Sequence, residues 1–395
     1  MSKLSLINLN KTYHNGAHAL KDFSLDINDH EFVVILGKSG CGKTTLLRMI
    51  SGLDNPDSGE IVMDNEIIND VDPTKRDVTM VFQSYALYPQ MTAYQNLSIP
   101  LRTKLIRKQL FDKKGNPILS PNYQKIEELK KQIEQSSNKD EKKQLKNQIK
   151  ELKSNPTEPT FDMLPYTPEE IDQKVREVAN QLDITPFLDQ RASTLSGGQK
   201  QRVALGKAMV RAPKVLLMDE PLSNLDTKLK NQALSLIQKV HHQCNAITIY
   251  VTHDQNESMS LADKLVVMKD GYIQQVGTPL EVFNNPKNIF VATFLGTPPI
   301  NIIELDELKA KESLIGIRPE NISIDPIENG IEIPVICEYC ELLGHDLYCY
   351  SQFKEQRIII KLPDRAKIET EQEFKIYIDP NKTLYFNKET GGRTY

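Results

Sequence analysis

Phe32-Val-Val-Ile-Leu36, Gly37-Lys-Ser-Gly-Cys-Gly-Lys43-Thr44 and Thr45-Leu-Leu-Arg-Met49 follow one another without interruption. The first run has the length and β-branched content of a buried strand. The next eight residues fit the P-loop pattern with no mismatch, and the last run opens a helix. Strand, glycine-rich loop, helix is the context that motif needs. Gly37, Gly40 and Gly42 let the backbone curl so that successive N–H groups face phosphate oxygens. A helix N-terminus adds only about 0.3–1 kcal/mol for an exposed anion. Lys43 must therefore bring a full charge to the β- and γ-phosphates, and the Thr44 hydroxyl is the expected Mg2+ ligand.

The chain of 395 residues is too long for one ordinary core and predicts about two or three domains. Apolar content of 39% and charged content of 26% are those of a globular protein. A formal charge of −4 gives no whole-chain attraction to nucleic acid or anionic lipid. No apolar run reaches the roughly 18 residues of a membrane span. The start, MSKLSLINLNKTY, lacks the apolar block of a signal peptide. Five cysteines, few and odd in number, point to free thiols in a reducing cytoplasm. Any membrane role is then expected through docking to a membrane partner.

Outward from the P-loop, Leu4 to Ile27 alternates apolar and polar residues around a turn at Asn15-Gly16, predicting a small antiparallel sheet. Downstream, a strand runs into Gln83, whose amide can offer a carbonyl to a metal and an N–H to water. An aromatic stretch, Ser84-Tyr-Ala-Leu-Tyr88-Pro89, follows. Lys104 to Lys153 holds 14 basic and 7 acidic residues, a local charge of +7. Ile126, Leu129 and Ile133 make one helical stripe, and Leu145, Ile149 and Leu152 another. The two do not share a heptad phase, so a helical hairpin bending at Ser136 to Asp140 is expected rather than one coiled coil. Thr167-Pro-Glu-Glu170 is a capping box that starts a helix. Leu195-Ser196-Gly197-Gly198-Gln199 precedes another, and could form a second anion-facing helix start. The strand Lys214 to Met218 ends in Asp219-Glu220-Pro221, at the end of a parallel strand where α/β ligands bind. Ser223-Asn-Leu-Asp226 follows, and the strand Ala246 to Val251 ends at Thr252-His253. A hairpin is expected around Asp270-Gly271. Past Gly296-Thr-Pro-Pro299, short strand-like runs recur at Ile315, Ile331, Leu347, Ile358 and Phe374, as in a small all-β barrel or sandwich.

P-loop, Gln83, Leu-Ser-Gly-Gly-Gln, Leu-Leu-Met-Asp-Glu-Pro and a strand-end His253, in that order, resemble the nucleotide-binding subunit of an ATP-binding-cassette (ABC) transporter. The resemblance covers nearly all of residues 1–300 except the lysine-rich segment. It implies an α/β P-loop NTPase fold with an antiparallel β subdomain and a helical subdomain, over 1–297. A small OB/TOBE-like all-β regulatory barrel would follow over 298–395. It implies an ATPase coupled to transport. Tyr13 matches the residue that stacks on adenine, and Gly37, Lys38, Ser39, Gly40, Cys41, Gly42, Lys43, Thr44 and Thr45 match the phosphate cradle. Thr44, Gln83 and Asp219 match the Mg2+ neighbourhood, and Glu220 the general base that orients water. His253 matches the γ-phosphate switch. Ser196, Gly197, Gly198 and Gln199 match the signature that caps ATP on the opposite subunit, and Asp226 the loop that crosses that interface.

Val81-Phe-Gln-Ser-Tyr-Ala-Leu-Tyr-Pro89, Phe290-Val-Ala-Thr-Phe-Leu-Gly-Thr-Pro298 and Gly316-Ile-Arg-Pro-Glu320 are most similar to importers of sugars, such as the maltose type, and of glycerol phosphate. Polyamine and metal-ion importers share parts of all three. The implied partners are a second ATPase subunit, like or identical, and permease subunits docking near Gln83 to Tyr88. A solute-binding protein outside the cell acts indirectly. The implied location is the cytoplasmic face of the membrane. Two features depart from the pattern. The segment from about Arg107 to Tyr166 has no counterpart, and the C-terminal part is short for the maltose type, so binding of regulatory proteins is not carried over. A competing function is a soluble cassette ATPase acting on ribosomes or nucleic acid through the basic segment. That segment has few interleaved aromatics, Phe111 and Tyr123, and the chain holds one cassette where such relatives resemble two, so no nucleic acid is expected. A nonenzymatic scaffold is disfavoured by Lys43, Asp219, Glu220 and His253. Cys41 is placed where oxidation or alkylation would block nucleotide. Cys337-Glu-Tyr-Cys340 has metal-like spacing without a second pair, so strand positions are its simpler explanation. His241-His242 reads as the surface of a polar helix end.

Overall fold

The computed structural model describes residues 3–135, 138–223, 227–304, 313–363 and 366–394. The chain divides into two compact units, one of residues 1–86 with 212–395 and the other of 87–211.

The first unit is built on a six-stranded sheet. Its strands lie in the order Tyr272–Gly277, Lys264–Lys269, Phe32–Gly37, Ile247–Thr252, Val215–Asp219 and Val78–Val81. All neighbours are parallel except the first pair, a hairpin turning at Asp270 and Gly271, both with left-handed φ. Every residue of the three central strands is buried, which is why they read as unbroken apolar runs. One face, including Val33, Ile35, Val215, Leu217, Ile249 and Val251, packs into the core shared with helix Lys43–Ser51 and a four-stranded antiparallel sheet. That sheet is ordered His18–Ile27, Leu4–Thr12, Ser58–Met63, Glu66–Ile67. On the other face lies helix Thr227–Cys244. The surface expectation fails there for His241, which is buried, accepts or donates a hydrogen bond to Thr248 at 2.8 Å and meets the Phe32 ring edge-on. It continues the apolar stripe of Ala233, Ile237 and Val240; His242 stays exposed.

The strand order brings the carboxyl ends of Phe32–Gly37, Ile247–Thr252, Val215–Asp219 and Val78–Val81 side by side, so four separate motifs converge on one sheet edge.

The C-terminal β domain belongs to the same unit. One sheet is ordered Asn301–Ile303, Ser313–Ile317, Leu384–Asn387, Arg393–Thr394; the other Ile322–Ser323, Glu373–Ile378, Ile331–Leu343, Asp346–Phe353, Gln356–Leu362. Both contribute to one core through Ile303, Ile315, Ile333, Cys349, Ile360 and Ile376. Arg318 of the Gly316 to Glu320 motif explains part of that motif's pattern. Its guanidinium is buried, donates to the carbonyls of Leu295 and, at 2.9 Å, Phe283, and lies 3.8 Å from the Phe283 ring centroid. Burial without a bonded carboxylate lowers its pKa to about 10. A side chain on Gly296 would come within 2.6 Å of that guanidinium, so the glycine leaves its space.

In the second unit, helices Ala93–Arg102, Pro168–Gln181 and Gly197–Met209 each begin at a capping box, on Thr92, Thr167 and Ser196. The lysine-rich insertion contains the expected helical pair, Tyr123–Gln135 and Lys139–Ser154. It also contains what the sequence reading missed. Leu105–Gln109 and Phe161–Pro165 pair antiparallel, forming a two-stranded stalk below the helices.

Candidate functional site

The loop glycines differ in what they make possible. Gly37 has no room: a Cβ would lie 2.6 Å from Cys41 Sγ and 2.7 Å from the Met268 carbonyl. Gly40 and Gly42 have left-handed φ of 81° and 104°, and a Cβ on Gly42 would strike the Ala19 carbonyl at 2.1 Å. Gly42 caps helix Lys43–Ser51 with no side-chain bond, so that start relies on backbone groups alone. The Lys43 ammonium is buried and donates to the carbonyls of Gly37 at 2.7 Å and Lys38 at 3.0 Å. It also lies 3.8 Å from Glu220 Oε1.

Thr44 Oγ1 donates to Asp219 Oδ1 at 3.0 Å, joining the P-loop to the end of a strand two positions away in the sheet. Burial and then the neighbouring Glu220 push the Asp219 carboxyl up, opposed by the Thr44 bond and the Lys43 charge. Glu220 adopts a left-handed φ of 42°, and its N–H donates to the Val251 carbonyl at 3.1 Å. A strained non-glycine backbone at a strand end is a frequent mark of a functional residue. His253 Nδ1 lies 3.3 Å from Glu220 Oε1. The Ser223 hydroxyl donates to the Glu220 carbonyl at 3.0 Å and accepts from Gln83 Nε2 at 3.1 Å. Lys43, Glu220 and His253 thus form one side-chain group and Thr44 with Asp219 another, joined through the Asp219-Glu220 backbone, while Gln83 reaches the Glu220 carbonyl through Ser223. The donors at the centre of the site, a hydroxyl and a carboxylate oxygen, are hard oxygen ligands of the type Mg2+ takes, so the residues fit that ion.

Tyr13 reaches the same loop from the antiparallel sheet. Its hydroxyl lies 3.1 Å from Thr45 Oγ1 and donates to Asp54 at 3.3 Å. Cys41 is buried, and burial pushes its thiol up against the opposing field of Lys43. A protonated thiol is a poor nucleophile, so burial works against modification at this position.

A support the sequence reading missed lies beneath His253. Glu257 is buried and accepts from Tyr250 at 2.8 Å and Thr252 at 2.6 Å, with Lys230 at 3.4 Å. Asp254 caps the following helix, accepting from the N–H groups of Asn256 and Glu257. Capping-box spacing in Asp254-Gln-Asn-Glu257 signals only the helix start; Glu257 turns instead to Tyr250 and Thr252, and the Asp254 N–H donates to Thr252 Oγ1.

In the second unit, Ser196 accepts from the Gln199 N–H at 3.3 Å and Gln199 accepts from the Ser196 N–H at 2.8 Å. The exchange holds the N-terminus of a 13-residue helix in place, with Ser196 and Gly197 exposed. Nothing lies within 4 Å of where a Gly198 Cβ would stand, so that side is open to an incoming anion. Asp226 lies outside the described residues.

A family profile described as ABC transporter matches residues 20–223. The chain is 36% identical to the sn-glycerol-3-phosphate import ATP-binding protein UgpC of Psychromonas ingrahamii, over 99% of this chain and 95% of that one. The same-named protein of Rhizobium meliloti is 36% identical over 95% of each. An uncharacterised ABC transporter ATP-binding protein, YcjV of Escherichia coli K12, is 35% identical over 99% of each. Among solved structures, cbiO1 from Clostridium perfringens, part of the ABC transporter complex cbiONQ, has a TM-score of 0.50 at 25% identity, covering 71% of this chain and 89% of that one. A cassette of an ABC transporter in its ADP conformation shares the fold at TM-score 0.52 and 21% identity, over 72% and 96%.

Proposed function

The chain belongs to the ABC transporter family of ATP-binding proteins, and on that premise we propose that it is the ATPase of an import complex for glycerol phosphate or a sugar. The observation that carries the catalytic reading is the linked cluster in which Thr44 meets Asp219 at 3.0 Å while Glu220 stands between Lys43 and His253. In this reading Tyr13 stacks on adenine, and the P-loop backbone with Lys43 holds the β- and γ-phosphates. Thr44, Asp219 and Gln83 would hold Mg2+, which would neutralise phosphate charge. Glu220 accepts a proton from the attacking water as it is oriented toward the γ-phosphate. His253, bonded to Glu220, keeps that carboxylate aimed and contacts the γ-phosphate. Ser196, Gly197, Gly198 and Gln199 of a second copy complete the site from the other side; a charge lent in trans to phosphoryl transfer is worth about 10³–10⁵ in rate in GTPases.

The domain division at residues 297 and 298, an OB-like regulatory role for the β domain, and permease docking at the aromatic stretch around Tyr88 belong to the same proposal. Tyr88 is 43% exposed, with Lys207 4.8 Å from its ring centroid, which suits a partner surface. No helix among the described residues is long and apolar enough to cross a membrane. The test is co-purification of the full chain from membranes, followed by uptake of glycerol 3-phosphate and sugars into vesicles holding the recovered complex. Permease subunits and ATP-dependent uptake support the reading. Recovery with ribosomes or RNA and no membrane subunit overturns it.

A further inference from the structure

Three thiols share one face of the C-terminal β domain. Strand Ile331–Leu343 pairs with Asp346–Phe353, and the register shifts between Cys337 and Tyr339. Cys337 stands opposite Ser351, and Cys340 opposite Cys349. In a regular strand, residues three apart point to opposite faces. The extra residue at Glu338 is a β-bulge, and it returns Cys340 to the face of Cys337. Cys349 and Ser351, two apart, share that face across the ladder. Cys349 Sγ lies 3.4 Å from Cys337 Sγ, Cys337 Sγ lies 3.9 Å from Cys340 Sγ, and all three sulfurs are within 4.8 Å of one another. Cys337 and Cys349 are buried and Cys340 is exposed, so the triangle is closed at its base and open to solvent at one corner. The spacing Cys337-Glu-Tyr-Cys340, explained above by strand positions alone, thus acquires its third ligand from a neighbouring strand.

We propose that Cys337, Cys340 and Cys349 form a binding site for one thiophilic cation of the zinc or copper(I) class. Sulfurs 2.3 Å from a zinc ion stand about 3.8 Å apart at tetrahedral angles and about 4.0 Å apart in a trigonal plane. The Cys337–Cys340 edge at 3.9 Å lies between those spacings, and the Cys337–Cys349 edge at 3.4 Å is about 0.4 Å shorter than the tetrahedral one. A disulfide would need one pair to close to about 2.05 Å and would leave the third thiol unused. A set of three sulfurs selects soft cations over Mg2+, which takes oxygen ligands. The Ser351 hydroxyl, 3.1 Å from Cys349 Sγ, is placed to orient that sulfur as an outer partner. On binding, each thiol releases its proton to solvent as a sulfur lone pair bonds the cation, so no oxidant or reductant takes part. The open corner at Cys340 is the entry route and the place for a solvent ligand.

The test is titration of the reduced, metal-stripped full chain with cadmium, read by the ultraviolet sulfur-to-cadmium charge-transfer band and by melting temperature. The exposed Cys340 is the position to change, because Cys340→Ser leaves the two buried residues in the core. One cadmium per chain, a band and a raised melting temperature are expected for the wild type, with zinc or copper(I) displacing the cadmium. Cys340→Ser should lose the band and the thermal shift while melting like the wild type without metal. A wild type without the band overturns the proposal. So does a Cys340→Ser protein with an undiminished band, because Cys340 would then not be a ligand.

Discussion

Glu220 carries the heaviest demand of any single residue, since it must stay beside Lys43 and His253 without being neutralised by either. Glu220→Gln keeps the side-chain shape and removes the base. Hydrolysis should fall by about 10²–10⁴-fold in a phosphate-release assay, with ATP still bound. Asp219 yields a prediction with the opposite sign for stability. Its folded pKa is raised above the ordinary 3.8, so the folded state binds the proton more tightly than the unfolded chain. The ionised carboxylate therefore costs stability at neutral pH, and the cost shrinks as pH falls through the folded pKa. Asp219→Asn should melt higher than the wild type at neutral pH without nucleotide, converge with it on acidification, and be inactive. Equal melting at neutral pH would refute the sign. At this scale the convergence of Gln83, Asp219, Glu220 and His253 was legible because each follows a strand that the sequence predicts. The sequence hid the tie between Glu257, Tyr250, Thr252 and Lys230, since those contacts exist only after the strand and two helices are assembled.

Among the elements, the lysine-rich insertion enters and leaves through one paired stalk, which Lys108 ties to Glu170 of helix Pro168–Gln181. Leu105 and Pro165 face each other across the stalk, so their Cα atoms are about 4.5–5.5 Å apart and a two-residue turn can join them. Replacing 106–164 with Asn-Gly should leave a folded protein that binds and hydrolyses ATP. Insolubility, or loss of nucleotide binding, would mean the insertion is structural. Arg318 makes a different prediction. Arg318→Ala removes the donor to the buried Leu295 carbonyl, and an orphaned buried acceptor costs about 1–3 kcal/mol. Thermal unfolding should register that loss while the initial rate of hydrolysis stays near wild type. Helices and caps were readable because Thr167 and Glu170 are three apart in the chain. The stalk was not, because its strands are five residues each and their partners are more than fifty positions apart. The bulge at Glu338 was equally invisible, since an extra strand residue leaves no periodic trace.

For the whole molecule, the account turns on two copies enclosing ATP, each supplying Ser196 to the nucleotide held by the other's Lys43. The sequence carried the order of motifs but cannot contain a symmetry operation, and a C2 pair is the commonest closed solution. Sedimentation of Glu220→Gln with and without ATP and Mg2+, alone and combined with Ser196→Arg, tests the arrangement directly. The account predicts a dimer of Glu220→Gln only with ATP, and ATP-bound monomers once Ser196→Arg is added. Glu220→Gln remaining monomeric with ATP, or a dimer that survives Ser196→Arg, would contradict it.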